Sequence, residues 1–346
     1  MNFTVNAVIT GTGAYVPPNV VTNDALATVV DTSDEWIRAR TGIAERRIAA
    51  ASEKCSDLAE RAARAAIENS GVAPEEIGLL VVATITADTR TPSTACWIQP
   101  RLGLRNAVAF DISAACSGFI YALDIARRYI QTGAVKHALV VGADKMSDIV
   151  DWSDRGTCVI FGDGAGAVVL SECGTDIPVC ESRGIISTVM GADGDGASLI
   201  HMKAPAPGTD GYALTFGENG ALSVAPGRGD ILKMEGNKVF VSAVRGMSEV
   251  AFKALEAAGL TLADIALVIP HQANTRIIDS IADKMGIPHE KLCVNIDRVG
   301  NTTAASIPLA LDEALRDGRV RDGDNILLVA FGAGLTWGAT VLRWGR

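Results

Sequence analysis

The segment IENSGVAPEEIGLL, residues 67–80, returns later in the chain as LEAAGLTLADIALV, residues 255–268. Four positions of the first segment carry the same residue 188 positions later (256 − 68 = 188): Glu68, Gly71, Ile77 and Leu79. The tripeptide Ala-Leu-Asp at 122–124 is repeated at the same offset, at 310–312. Because two separated blocks share one offset, the sequence predicts an internal duplication.

The first copy has the pattern of a βαβα unit. Helical and strand-like segments alternate along it, with helix-like 56–69, strand-like 77–84, helix-like 94–102, strand-like 107–111 and, after a further helix, strand-like 137–142. Such alternation is typical of a layered α/β fold with buried strands. We therefore predict two related halves, 1–175 and 176–346, and a cleft between them, where binding pockets prefer to lie.

The composition indicates a globular cytoplasmic protein. With 346 residues, 48% of them hydrophobic, the chain is long enough to bury a large core. A net charge of −9 argues against a nucleic-acid partner. The seven cysteines are odd in number and form no CxxC pair, which favours a reducing compartment. We see neither a signal peptide nor an apolar run near the length of a membrane span.

The stretch DISAACSGFIYALDIARR, residues 111–128, contains a single cysteine, Cys116. The apolar run 107–110 precedes it and an amphipathic helical pattern begins at Phe119, so we expect Cys116 at a strand-to-helix turn. A helix N-terminus favours the thiolate, which is the nucleophilic form of cysteine. The pattern therefore predicts a reactive thiol with a lowered pKa, and the alternative is a small buried hydrophobic residue.

The repeat offset also points to two polar residues in the second half. Cys116 aligns with Ala304, three residues after Asn301, so the two helix starts are expected to face each other. The second copy of the repeated segment leads into VIPHQANTR, where a strand ends at His271. Polar residues after the carboxyl end of a buried strand are where α/β folds place their chemistry. The remaining histidines, at 137, 201 and 289, are interpreted as structural.

Three glycine-rich segments resemble nucleotide-, phosphate- or calcium-binding motifs, but each lacks a residue that its motif requires. GTGAYVP at 11–17 lacks the third glycine of a dinucleotide fingerprint, and FGDGAGAVVLSE at 161–172 lacks the Lys-Ser/Thr of a phosphate loop. ADGDG at 192–196 has no glutamate where a calcium loop needs one. We predict no metal site and interpret the 161–172 glycines as positions of close packing or a turn.

Taken together, SAACSGF around Cys116, PHQAN around His271 and GNTTAAS around Asn301 resemble the β-ketoacyl-acyl-carrier-protein synthase III family of the thiolase fold. The likeness covers the whole chain, including 31–48, 154–167 and 330–338. It implies two duplicated βαβα lobes in a layered αβαβα core. It also implies condensation of an acyl-CoA primer with malonyl-acyl carrier protein, which starts fatty-acid synthesis. The alternative is a secondary-metabolism acyltransferase or ketosynthase on the same scaffold.

The resemblance implies roles for the three polar residues. Cys116 would accept the primer as a thioester, and His271 and Asn301 would stabilise the enolate that forms when the malonyl group loses carbon dioxide. The backbone N–H groups of Cys116 and Ala333 would form a second oxyanion site; family members usually have glycine at 333, and a backbone donor survives that change. Thiolases and elongating ketosynthases have a second cysteine or histidine in place of Asn301. No cofactor is implied.

Binding residues and partners are likewise implied by the resemblance. Those expected along coenzyme A are Thr32, Trp36, Arg40, Arg155, Gly236 and Asn274. Arg245 and Arg276 are candidates for docking the acidic carrier protein, although Val241 stands where some members carry lysine. Thr91 and Phe240 are expected at the acyl pocket, where the small Thr91 would favour a longer primer unless Trp97 or the 204–230 segment fills the space. A homodimer is expected, with no membrane partner.

Overall fold

The computed structural model describes residues 5–174, 183–202, 211–216, 221–227 and 231–345. The strands in these ranges are β1 (Val5–Tyr15), β2 (Val20–Thr22), β3 (Glu45–Arg47), β4 (Ile77–Ala83), β5 (Val108–Ile112), β6 (His137–Asp144), β7 (Gly164–Gly174), β8 (Gly184–Ala192), β9 (Ile200–Met202), β10 (Gly211–Phe216), β11 (Leu222–Gly227), β12 (Leu232–Met234), β13 (Ile265–Pro270), β14 (Asn325–Gly332) and β15 (Thr336–Arg343). The α-helices are α1 (Asn23–Ala27), α2 (Asp34–Thr41), α3 (Cys55–Ser70), α4 (Thr94–Arg101), α5 (Gly118–Gln131), α6 (Gly236–Ala258), α7 (Thr275–Met285), α8 (Ile296–Val299) and α9 (Ser306–Arg316).

Two sheets share one strand order. In the first, the order is β1-β7-β6-β4-β5, with β4 parallel to β5 and β6, and with β7 antiparallel to β1 and β6. In the second, the order is β8-β15-β14-β13, with β13 parallel to β14 and β15 antiparallel to both its neighbours. Thus β8, β15, β14 and β13 occupy the positions of β1, β7, β6 and β4.

Helices α5 and α9 lie between the two sheets. Their buried apolar residues belong to one cluster with those of β4 and β6 from the first sheet and β13 and β14 from the second. Helix α3 covers the outer face of the first sheet, and α6 covers that of the second and packs on α7. This arrangement confirms the predicted αβαβα layering.

The offset of 188 residues holds through the core. It relates β6 to β14 at both ends, since 137 + 188 = 325 and 144 + 188 = 332. It also relates the short 3₁₀ turn Ala115–Ser117 to the turn Thr303–Ala305. The predicted boundary between 175 and 176 itself lies outside the described residues, as does about half of the 204–230 segment.

The two halves differ at two places. The counterpart of β5 would be 296–300, but these residues include α8, and the charged residues Asp297 and Arg298 break any alternation of apolar and polar residues. The counterpart of α3 would begin at 243 (55 + 188), but α6 begins at Gly236, seven residues earlier. The extra turns of α6 bring Gly236 and Phe240 to the cavity described below.

The glycines of GTGAYVP allow a helix to approach a strand closely. A Cβ atom added at Gly11 would lie 2.3 Å from the carbonyl oxygen of Ala66, and one at Gly13 would lie 2.3 Å from that of Ala62. Both carbonyls belong to α3, whose buried face is rich in alanine. These glycines therefore serve packing, in agreement with the weakness of the nucleotide signal.

Candidate active site

A cavity of about 870 Å³ is lined by residues from both halves. Its outer part includes the exposed side chains Arg40, Arg155 and Arg276. Its inner part includes Cys116, His271 and Asn301, of which His271 and Asn301 are buried. The structure thus brings the three predicted residues together in the lining of one cavity.

Cys116 lies in the turn between β5 and α5. The preceding residue, Ala115, has a φ of 46°, which is rare for a residue with a side chain and holds the turn in a sharp bend. Two contacts attach this bend to β15. Ser117 Oγ donates to the carbonyl of Thr336 (3.1 Å), and Thr336 Oγ1 lies within hydrogen-bonding distance of the carbonyls of Ala114 (3.1 Å) and Ala333 (3.0 Å). The thiol is therefore held on a rigid support.

Backbone donors lie beside the thiol. Cys116 and Ala333 both line the cavity, so their backbone N–H groups are candidates for this role. Gly332, which precedes Ala333, approaches so closely that a Cβ atom there would lie 2.8 Å from the Cys116 nitrogen. The absence of a side chain at Gly332 thus permits a close approach of this segment to the Cys116 N–H, as an oxyanion site made of both N–H groups requires.

The expected lowering of the Cys116 pKa is wrong. Burial, with a further contribution from the Asp144 carboxylate, raises the pKa of the Cys116 thiol to about 12. Desolvation disfavours the charged thiolate, and the nearby negative charge of Asp144 does so as well. The thiol is therefore mainly protonated at neutral pH and must lose its proton as it reacts.

His271 follows the last residue of β13. Its backbone N–H donates to the carbonyl of Val329 (2.8 Å) on the neighbouring strand β14, and its Nδ1 lies 2.7 Å from Ser306 Oγ. Burial lowers the pKa of His271 to about 3. The imidazole is therefore neutral at pH 7 and suited to hydrogen-bond donation without proton transfer.

The carboxamide of Asn301 has a defined orientation. Its Oδ1 accepts the backbone N–H of Thr303 (2.9 Å), which directs the Nδ2 amino group away from that contact and makes it available to the cavity. Its backbone is fixed as well, because its N–H donates to the carbonyl of Ile160 (2.9 Å) and its carbonyl accepts the N–H of Gly162 (3.0 Å). Asn301 thus presents a fixed donor beside His271.

Asp144 supports the site and was missed from the sequence. It ends β6, is fully buried, and accepts hydrogen bonds from Thr84 Oγ1 (3.0 Å), the Ile85 N–H (2.8 Å) and Thr86 Oγ1 (2.9 Å). Its other oxygen accepts a short hydrogen bond from Thr303 Oγ1. Burial raises its pKa. The signal that could have found it is the carboxylate at the end of the apolar run 138–143, the position that drew attention to His271.

The outer part of the cavity contains an aromatic ring between two cations. The guanidinium carbon of Arg40 lies 4.9 Å from the centre of the Trp36 ring, and that of Arg155 lies 5.3 Å from it. Arg155 also donates to the backbone carbonyl of Asp31 (3.1 Å). The guanidinium carbon of Arg276 lies 6.0 Å from the centre of the Phe240 ring. These planar groups suit a flat, electron-rich ring and an anionic group.

The remaining predicted residues divide into two sets. Gly236, Phe240, Asn274 and Arg276 line the cavity. Thr32, Thr91 and Arg245 do not line it, and Thr91 is exposed. Trp97 does not reach the cavity either, since it is 40% exposed and its Nε1 donates to Thr89 Oγ1 (3.0 Å).

Two features are absent from the residues that the structure describes. Within those ranges, no three or more His, Cys, Asp or Glu side chains are grouped so that they could hold a metal ion. No helix in the same ranges is both long and apolar enough to cross a membrane.

Two family models match the chain. Residues 110–194 match 3-oxoacyl-[acyl-carrier-protein (ACP)] synthase III, and residues 255–344 match the model of its C-terminal part. A curated relative from Symbiobacterium thermophilum, beta-ketoacyl-[acyl-carrier-protein] synthase III, is 52% identical over 338 residues, which cover 98% of this chain and 98% of the relative.

Solved structures are similar over nearly their full length. The 3-oxoacyl-[acyl-carrier-protein] synthase III from Aquifex aeolicus superposes with a TM-score of 0.85 at 48% identity and covers 98% of this chain and 100% of its own. The priming β-ketosynthase of the R1128 polyketide biosynthetic pathway superposes with a TM-score of 0.87 at 38% identity, with coverage of 100% and 98%.

Proposed function

Because this chain belongs to the 3-oxoacyl-[acyl-carrier-protein] synthase III family, we propose that Cys116, His271 and Asn301 carry out its reaction. The enzyme is an acyltransferase that condenses an acyl group from acyl-CoA with malonyl-acyl carrier protein and so starts fatty-acid synthesis. The observation that carries the assignment of residues is their position together in the lining of one cavity.

In the first half-reaction, the Cys116 sulfur attacks the thioester carbonyl of the acyl-CoA. The carbonyl oxygen becomes an oxyanion that accepts hydrogen bonds from the backbone N–H groups of Cys116 and Ala333. The bond to the coenzyme A sulfur then breaks, and the proton lost by Cys116 ends on that leaving sulfur. Because its pKa is raised, Cys116 still carries its proton when acyl-CoA binds. Loss of this proton and transfer of the acyl group therefore take place while acyl-CoA is bound.

In the second half-reaction, malonyl-acyl carrier protein loses carbon dioxide. The electron pair of the broken carbon–carbon bond forms an enolate, whose oxygen accepts hydrogen bonds from His271 Nε2 and Asn301 Nδ2. One fixed donor of this kind contributes about 3 kcal/mol to the transition state. The enolate carbon then attacks the Cys116 thioester, which releases the Cys116 sulfur to take up a proton and yields 3-oxoacyl-acyl carrier protein and carbon dioxide.

The outer part of the cavity is the proposed site of coenzyme A. Its adenine would stack on Trp36, with Arg155 over its other face, and Arg40 near its phosphates. The pantetheine would pass Gly236 and Asn274 toward Cys116. Thr32 would contribute to coenzyme A binding although it is not among the residues that line the cavity. No cofactor takes part in this scheme, because both substrates arrive already activated as thioesters.

The carrier protein would dock at the same mouth. Arg276 lies at the mouth and Arg245 is exposed on α6, so both could meet an acidic partner. Val241, which is 66% exposed, adds an apolar contact where some family members carry lysine. The proposed location of the enzyme is the cytoplasm, where neither nucleic acid nor membrane is needed as a partner.

A homodimer is proposed through the open edge of the first sheet. Strand β5 is an edge strand, and its residue Val108 is 52% exposed. An unpaired strand edge with an exposed apolar residue is suited to a second copy. Thr91, exposed and outside the cavity of its own chain, could then serve the acyl pocket of the partner. Sedimentation that gives an active 36.0 kDa monomer would contradict the dimer.

The function is tested by intact mass measurement. Incubation with a panel of acyl-CoAs should add one acyl group, which peptide analysis should locate on Cys116 and which Cys116→Ser should abolish. Addition of malonyl-acyl carrier protein should then remove the group and form 3-oxoacyl-acyl carrier protein. Cys96, the exposed thiol, provides the control, because Cys96→Ser should leave both steps unchanged. An adduct on another cysteine would overturn the assignment.

The polyketide priming ketosynthase gives a specific reason to keep a second function in view. A starter enzyme of secondary metabolism would use the same three residues and differ in its carrier protein. Competition between carrier proteins of the two kinds in the second step distinguishes these functions. The higher identity to the Aquifex aeolicus enzyme favours fatty-acid synthesis.

A further inference from the structure

We infer that Ser306 is a positioning residue that fixes the hydrogen of the His271 ring on Nε2. The inference rests on the proposed function in one respect, namely that Nε2–H is the donor to the enolate. Ser306 is the first residue of α9 and is fully buried. Its Oγ lies 2.7 Å from His271 Nδ1 and 3.4 Å from the backbone nitrogen of Gln272.

The hydrogen-bond partners of Ser306 decide between the two neutral forms of the ring. A serine hydroxyl has one hydrogen to donate, whereas a neutral imidazole carries hydrogen on only one of its two nitrogens. The N–H of Gln272 can only donate, so Ser306 Oγ accepts from it. Within the described part of the chain, the one other group at hydrogen-bonding distance from this hydroxyl is His271 Nδ1.

Only one neutral form of the His271 ring provides hydrogen-bond partners for the Ser306 hydroxyl, His271 Nδ1 and the Gln272 N–H. If Nδ1 carried the hydrogen, Ser306 Oγ would accept twice and its own buried hydrogen would have no acceptor. If Nδ1 is bare, Ser306 donates to it and each group has a partner. Because unpaired buried donors are costly, the second arrangement is favoured, and the ring hydrogen stays on Nε2.

This arrangement also limits what His271 can do. Its one basic lone pair, on Nδ1, is engaged by Ser306, and its Nε2 carries the hydrogen. His271 can therefore donate a hydrogen bond into the cavity but cannot remove the proton of Cys116. The separation of the two half-reactions follows, since self-acylation needs no contribution from the imidazole as a base.

The test is the nitrogen NMR spectrum of the protein labelled with ¹⁵N-histidine, in which a ring nitrogen that carries hydrogen is distinct from one that does not. The His271 signals are assigned with His271→Ala. In the wild type at neutral pH, Nε2 should carry the hydrogen and Nδ1 should be bare. A wild-type spectrum with hydrogen on Nδ1 would overturn the inference, with no variant needed.

Variants of the turn extend the test. In Ser306→Ala, the hydrogen occupancy of Nε2 should decrease and the kcat of malonyl decarboxylation should fall about two- to tenfold, the effect of one ordinary hydrogen bond on the ratio of ring forms. Self-acylation should be unchanged, and Ser306→Thr should restore both readouts. Thr302→Val is the matched control, because Thr302 has a buried hydroxyl without a hydrogen-bond partner in the described structure.

The outcomes separate this inference from the proposed function. Unchanged His271 signals and unchanged decarboxylation in Ser306→Ala would reject the role of Ser306. Full decarboxylation by His271→Ala would instead reject the proposed role of His271, while the spectrum would still report which ring nitrogen Ser306 controls.

Discussion

Replacing Asn301 by aspartate should reverse the polarity of one enolate donor while preserving its support. One carboxylate oxygen of Asn301→Asp can still accept the N–H of Thr303, as Oδ1 does in the wild type at 2.9 Å. The other oxygen then takes the place of the amino group and faces the enolate. The variant therefore presents a negative charge where the wild type presents a donor.

The expected loss of decarboxylation rate in Asn301→Asp has two parts. Loss of the donor, measured alone by Asn301→Ala, should reduce decarboxylation about 10²- to 10³-fold. Repulsion between two unit charges about 4 Å apart amounts to roughly 4 kcal/mol at an effective dielectric constant near 20, which would cost up to a further factor of about 10³. Protonation limits this second loss, because Asn301 is buried and no cationic side chain is bonded to it in the described structure, so the carboxyl should have a raised pKa.

The pH dependence of decarboxylation by Asn301→Asp follows from the protonated form of the new carboxyl group. A protonated carboxyl can donate to the enolate, so decarboxylation by Asn301→Asp should increase as the pH falls toward the raised pKa, by up to about tenfold per pH unit. The Asn301→Ala variant has no such group and should follow the profile of the wild type. Release of labelled carbon dioxide is measured from pH 5.5 to 8.5, with self-acylation as the internal control. Parallel profiles for the two variants would refute the assigned orientation of Asn301.

Three further predictions concern the donor, the thiol and the fold. His271→Ala should lower decarboxylation about 10²- to 10³-fold and leave self-acylation measurable by mass, and equal losses in both would contradict the separate roles. Asp144→Asn should lower the raised pKa of Cys116, so alkylation of this thiol at pH 8 should become faster than in the wild type, and an unchanged rate would oppose the influence of the carboxylate. Gly13→Ala should reduce the free energy of unfolding by about 1–3 kcal/mol, since its Cβ would lie 2.3 Å from a carbonyl oxygen of α3. In denaturant titrations Gly174→Ala should have little effect, because no atom of the described residues lies within 4 Å of a Cβ atom added there.

The layered core could be predicted because its information is local and repeated. The apolar run of β4 and its copy in β13 fix buried strands, and the shared offset aligns the strands and turns on which Cys116, His271 and Asn301 depend. Each of these residues stands next to the end of a periodic segment, where the sequence pattern itself changes. Their convergence in one cavity therefore follows from the duplication.

Other features depend on contacts between distant segments. The raised pKa of Cys116 results from enclosure by several elements and from Asp144, and neither effect is visible in the residues beside the thiol. The role of Asp144 is not visible in its neighbours along the chain, because its partners Thr84, Thr86 and Thr303 belong to other segments. Likewise, α8 replaces the expected counterpart of β5, because the charged residues of its short segment do not suit a strand.

The duplication explains the shape of the site, and the departures from symmetry explain its chemistry. Ala115 and Thr303 are equivalent, and their φ values of 46° and 51° form matching sharp turns. After these turns, Gly118 is equivalent to Ser306 (118 + 188 = 306). A Cβ atom at Gly118 would lie 3.0 Å from that of Ala83, whereas Ser306 places its hydroxyl on His271. The first half thus contributes a packed support for the nucleophile, and the second contributes an oriented donor.

The ends of the central strands show the same division. Asp144 and Gly332 occupy equivalent positions (144 + 188 = 332). Each lies against the sharp turn of the opposite half, Asp144 against Thr303 and Gly332 against Cys116. The Asp144 carboxylate binds Thr303 Oγ1 and so holds the turn that orients Asn301. Gly332 has no side chain, which permits the close approach of Ala333 to the Cys116 N–H. A carboxylate at Gly332 would place negative charge beside the oxyanion of acyl transfer, and a glycine in place of Asp144 would leave the Thr303 turn without its anchor. Each half therefore shapes the reactive turn of the other, so the two half-reactions depend on one interface between the duplicated halves.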